Sequence, residues 1–175
     1  MNPGRFIVYT RILVPIDGSE TSAHALDTAL QLAREHDAAL KAIYVVDVPQ
    51  LMYSGPGCDP SLVRDAFVKE SVIVLADAAA KMLRAGVKGS TRVLEVDPLG
   101  DDIAQRITVA ANEFAADLVV MGTHGRRGWR RLVLGSVAER FLRISTRPVL
   151  LIPLHAVARS KPRDVSIPEA AGTTS

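Results

Sequence analysis

The sequence predicts an α/β fold: a doubly wound, five-stranded parallel sheet of order 3-2-1-4-5 with helices on both faces. Three observations carry this expectation. Short apolar runs alternate with longer stretches of helical periodicity, the pattern of successive βαβ units. Several of the runs are apolar throughout, as strands covered on both faces are. The chain has 175 residues, 48% of them hydrophobic and 23% charged, which suits one domain with a sizeable core.

The elements follow in order. TRILVPI (10–16) reads as the first buried strand. After DGSE, Leu26, Ala29, Leu30 and Ala33 recur at three- and four-residue steps and mark a helix. Asp17 with Glu20, or Ser19 one register on, supplies its cap. ALKAIYVV (39–46) is a second strand. The stretch 47–60 holds three prolines and two glycines and is a loop. Residues 61–86 form a long helix that stops at glycine. STRVLEV (90–96) alternates as a strand does, and 97–114 holds a loop and a third helix. DLVVMG (117–122) is a fourth strand, SVAERFLRIS (136–145) a short helix and PVLLIP (148–153) the last strand. The folded domain is expected to occupy 1–155. Residues 156–175 are polar, small and proline-containing, a composition that predicts a disordered tail.

Bulk properties narrow the function classes. A net charge of +2 is not the footprint of a nucleic-acid binder, and no aromatic stacking platform or basic reading helix accompanies it. A single cysteine, Cys58, rules out an internal disulfide framework and reads as a free thiol. No apolar run approaches the ~18 residues of a membrane span. The N-terminal apolar stretch is too short for a secretory signal, so a cytoplasmic protein is expected.

In the predicted sheet the strand order reverses between the first and fourth strands, where ligands of doubly wound folds bind. PIDGS ends the first strand and MGTHG ends the fourth. Beyond the second of these runs GTHGRRGWRRLVLGS (122–136), with glycines at 122, 125 and 135 and then Ser136 at a helix start. Glycines permit close backbone approach, and free N–H groups at a helix start favour an anion. Arg126, Arg127, Arg130 and Arg131 add local positive charge. The same residues have a plainer reading. Ser136-x-x-Glu139 has the form of a capping box, the glycines suit turns, and Trp129 suits packing on the sheet or a partner. The pattern is neither a Walker loop nor a dinucleotide fingerprint.

MGTHGRRGWRRLVLGSVAER resembles the nucleotide motif of the universal stress protein family, G-x2-G-x9-G-[ST], at Gly122, Gly125, Gly135 and Ser136. RILVPIDGSETSAHAL, AIYVVDV and RPVLLIP resemble that family's first strand and helix start, second strand and last strand, so the likeness covers about residues 10–153. The resemblance implies a Rossmann-like domain of the adenine nucleotide alpha hydrolase type, in the ATP-binding branch, commonly a homodimer through the last strand. It implies that Pro15, Ile16 and Val45, with Met121 beside them, line the base pocket. Asp17 would meet the ribose or the adenine edge. Gly122, Gly125, Gly135, Ser136 and the Val137 backbone would hold ribose and phosphates.

No acid–base pair for fast phosphoryl transfer is evident. His124 lies inside the loop, where it either reaches a terminal phosphate or fixes the loop by a hydrogen bond. Asp17 or Asp47 can help hold Mg²⁺ through water. The expected function is an ATP-binding regulatory protein of the stress response, with slow hydrolysis at most. The alternative is a nucleotide-free dimeric interaction module. An adenylating or pyrophosphatase enzyme ranks last, because H-I-G-H and S-G-G-x-D-S signatures are missing.

Overall fold

The computed structural model describes residues 8–48, 59–97, 100–125 and 134–153. The elements in chain order are β1 (Arg11–Pro15), α1 (Glu20–His36), β2 (Ala39–Val46), α2 (Pro60–Ala85), β3 (Gly89–Glu95), α3 (Ile103–Glu113), β4 (Leu118–Gly122), α4 (Ser136–Ile144) and β5 (Val149–Ile152). The five strands form one parallel sheet of order β3-β2-β1-β4-β5, as the sequence predicts. Predicted and observed boundaries differ by a residue or so, the usual fraying of element ends.

Period-two alternation of side chains gives each strand one residue for each layer. On β1, Ile12 and Val14 enter one core and Leu13 the other. The first core lies under α1 and α2, and is built from residues such as Leu26, Leu40, Leu75 and Val120. The second lies under α3 and α4, with Ile43, Ile107, Val119 and Phe141 at its centre. These are the two covered faces that the apolar strands require.

The sheet is pinned at the amino end of β1. The Asp117 carboxylate accepts from the Thr10 amide (2.8 Å), the Thr10 hydroxyl (2.7 Å) and the Arg11 amide (3.0 Å). Burial pushes the Asp117 pKa up, but these hydrogen bonds together outweigh it and hold the carboxyl below its ordinary value. β5 lies at one edge of the sheet with Leu150 partly exposed, and β3 lies at the other. No helix among the described residues is long and apolar enough to cross a membrane.

Two capping expectations resolve. Ser19, not Asp17, is the N-cap of α1, and its hydroxyl accepts from the Ser22 amide. The capping box expected at Ser136 does not form: Gly135 is the N-cap of α4, Ser136 is already the first helical residue, and no side chain among the described residues caps the helix. The register is one residue off the box because the extended Gly135 (φ −63°, ψ 148°) takes the cap position.

Candidate functional site

The carboxyl ends of β1 and β4 lie side by side, and the chain leaves each by a polar loop. From β1 it runs through Asp17, Gly18 and Ser19 into α1. Gly18 turns the chain at φ +80°, a conformation that side chains other than glycine's resist. The Asp17 carboxylate accepts from the Ser19 amide (3.0 Å) and hydroxyl (2.6 Å), a local turn that aligns the α1 start.

From β4 the chain continues through Thr123, His124 and Gly125. This loop is tied down on both sides. The Thr123 amide donates to the Ile152 carbonyl (3.0 Å), the Gly135 amide donates to the Thr123 carbonyl (2.8 Å), and the Thr21 hydroxyl donates to the His124 carbonyl. The His124 ring is held through Nδ1 by the Thr123 hydroxyl at 2.9 Å, while its Nε2 is buried with no hydrogen-bond partner.

The motif glycines are explained by what their missing side chains would meet. A methyl at Gly122 would lie 2.9 Å from the Thr21 carbonyl carbon, Cβ and Oγ1. One at Gly125 would lie 2.8 Å from Asp17 Oδ2, and one at Gly135 would lie 3.1 Å from the Thr123 oxygen. From the sequence the glycines suit either a ligand's close approach or the geometry of turns. In the structure they let the protein's own strands, loop and helix close on one another, and this closure shapes the cleft.

The two helix starts of the second layer complete it. At α3, Asp102 accepts from the Gln105 amide and Gln105 Oε1 accepts from the Asp102 amide, both at 2.9 Å, a full capping box. Asp102 also pairs with Arg140 of α4, so the two helices are joined across the rim. At α4 nothing comparable occurs. The first-turn amides of Ser136, Val137 and Ala138 have no acceptor within the helix and no capping side chain among the described residues.

Together these elements enclose a cleft of about 830 Å³, within the ~300–1,000 Å³ range of small-molecule sites. The ten residues that the family resemblance assigns to the ligand all line it: Pro15, Ile16, Asp17, Val45, Met121, Gly122, Gly125, Gly135, Ser136 and Val137. Its wall also includes residues not singled out in the sequence, among them Phe67, Ile103, Ile107 and Arg140. The D-x-x-Q spacing at Asp102 signals a helix start and would have led to the α3 side. Arg126, Arg127, Trp129, Arg130, Arg131, Cys58 and residues 156–175 lie outside the described residues.

Chemically the cleft has two halves. Val45, Ile103, Ile107, Met121 and Val137 offer an apolar wall next to the second core. The open start of α4 offers amide donors and a positive dipole end, with the Gly122–Gly125 backbone beside it. That pairing suits a ligand with an apolar planar part and an anionic part.

The sequence profile of the Universal stress protein family matches residues 8–153. The chain belongs to the universal stress protein family. Among relatives of this universal stress protein, one from Methanocaldococcus jannaschii is 37% identical over 145 residues, covering 83% of this chain and 82% of the relative. A crystal structure of a family member from Burkholderia pseudomallei has 48% identity and a TM-score of 0.70, covering 86% of this chain and 99% of that one. A universal stress protein solved in complex with cAMP has 26% identity and a TM-score of 0.57, covering 85% and 99%.

Proposed function

We propose that this universal stress protein binds an adenine nucleotide, ATP with Mg²⁺, in the cleft between β1 and β4, and works as a nucleotide-dependent regulator in the stress response. One observation carries the reading: the start of α4, uncapped among the described residues, opens into the same cleft as the apolar wall around Val45 and Met121. A relative solved with cAMP makes an adenine ligand the natural one to test first.

The residues fit such a ligand. The base takes the surface of Pro15, Ile16, Val45 and Met121, and Asp17 faces the ribose or the adenine edge. The phosphates take the amides of Ser136 and Val137 and the backbone at Gly122, Gly125 and Gly135, with the Ser136 hydroxyl as a further donor. No group of three or more histidine, cysteine or acidic side chains able to hold a metal occurs among the described residues. Mg²⁺ would therefore draw most of its ligands from phosphate and water, with Asp17 or Asp47 at most in support. His124 is fixed by Thr123, which favours loop positioning over general-base work, so hydrolysis is slow at most.

Equilibrium dialysis with ATP and Mg²⁺ tests the reading, with saturable binding of one nucleotide per chain expected. No binding at millimolar ATP overturns it. The second reading, a nucleotide-free module that dimerises through its last strand, draws on the edge position of β5 and the partial exposure of Leu150. It predicts a dimer whose melting temperature is indifferent to ATP.

A further inference from the structure

We propose that the outer face of α2 is a docking surface for a second copy of this chain, two α2 helices packing antiparallel about a two-fold axis at Ile73. The proposal does not depend on the nucleotide-binding reading of the α4 start.

α2 is apolar on two opposite faces. Ser71, Leu75, Ala78 and Met82, at steps of four, three and four, are buried on the inner face, the last three in the first core. On the outer face Leu62, Ile73 and Leu83 are 68%, 71% and 83% exposed, and Val72 is 56% exposed. Positions 62, 66, 69, 73, 76, 80 and 83 follow steps of four and three, the spacing of a seam between helices. Scattered exposed apolar side chains need no explanation, but a row of them along one 26-residue helix does. Such a helix is about 39 Å long at ~1.5 Å per residue, enough for a substantial contact. Exposed Ala66 and Ala76 beside the large residues let a second backbone come near.

Charge identifies the occupant. The seam carries one cation, Lys69, four positions before Ile73, and Asp77 stands four positions after it. Two of the other charges on α2 are paired within the chain, Arg64 with Glu95 and Lys81 with Asp27. Lys69 and Asp77 have no ion-pair partner among the described residues. A two-fold axis at Ile73 sets Lys69 of each copy opposite Asp77 of the other, across the seam. This arrangement is self-complementary, which a closed two-fold interface requires. An unrelated helix would have to bring both charges in the same order. The surface lies over β2 and β3, at the far side of the sheet from β5, so it is a contact distinct from any pairing of last strands.

Sedimentation equilibrium of the full chain tests it. Ile73→Asp should remove one two-fold association step. Lys69→Asp should weaken that step about tenfold, and Lys69→Asp with Asp77→Lys should restore it. These residues are exposed, so melting curves should stay near the parent's, which separates lost assembly from lost folding. In a Cys58→Ser background, Ile73→Cys should give a covalent dimer on mild oxidation, whereas Val109→Cys should not. The proposal is overturned if parent and Ile73→Asp have the same mass at every concentration, or if the reversed charge pair fails to restore association.

Discussion

α3 and α4 start side by side on the rim of one cleft, yet their first turns are treated in opposite ways. Asp102 and Gln105 close the amides of α3 with a reciprocal capping box, and Asp102 also grips Arg140. α4 begins at Gly135 with no side-chain cap among the described residues. α1, the third helix that begins near the cleft, is likewise capped, by Ser19. An N-cap is worth about 0.5–2 kcal/mol, so omitting one at a single helix leaves donors that a ligand can satisfy. The comparison teaches that a site is found as much by the cap that is missing as by the residues that are present.

The comparison breaks most visibly if a negative charge is placed in the open turn. Ser136→Asp should stabilise α4 through the helix dipole while repelling the phosphates, an opposition of effects that a simple structural role cannot produce. Like charges about 4 Å apart at a near-surface dielectric repel by up to about 4 kcal/mol, and with salt screening removing about half of that, ATP affinity should fall about thirtyfold in a calorimetric titration while the melting temperature holds or rises. Next is Gly122→Ala. Its methyl has to displace Thr21 backbone and side-chain atoms, a misfit of about 1–3 kcal/mol. Thermal denaturation should show a loss of several degrees, at about 2–4 °C per kcal/mol for a chain of this size.

Asp102→Ala sharpens the contrast from the capped side. It should cost about 1–2 kcal/mol by denaturant unfolding through loss of the α3 cap, whereas Ser136→Ala, which removes no cap, should cost little and instead weaken ATP binding severalfold. The smallest effect lies far from the cleft. Asp117 has its pKa depressed, so its contribution is present above the ordinary carboxylate pKa and is lost as pH falls through the lower folded value. Asp117→Asn should flatten that part of the acid limb in a pH series of melting temperatures.

Much of this was legible in the sequence because it depends on local pattern. Fully apolar runs such as LVVM of β4 announce a strand covered on both faces, and the 3-2-1-4-5 order then puts PIDGS and MGTHG at one crevice. What the sequence did not show depends on register and on tertiary closeness. Ser136-x-x-Glu139 satisfies the capping-box pattern, yet the helix starts one residue earlier than the box needs, and only backbone geometry decides that. The reason for Gly122 is Thr21, about a hundred residues away in sequence, which no spacing reveals. The α3 wall escaped notice although D-x-x-Q marks its start. The outer row on α2 was visible as apolar residues in a helix, but not as residues left uncovered.

The central claim is that the uncapped start of α4 holds the anionic end of a nucleotide whose base lies on the apolar wall. Calorimetric titration of the full chain with ATP and then with adenosine, both with Mg²⁺, tests it most directly. Affinity for ATP at least about tenfold above that for adenosine, with the difference erased by Ser136→Asp, is the predicted result. Equal affinity for the two, or a phosphate preference that survives Ser136→Asp, would contradict it.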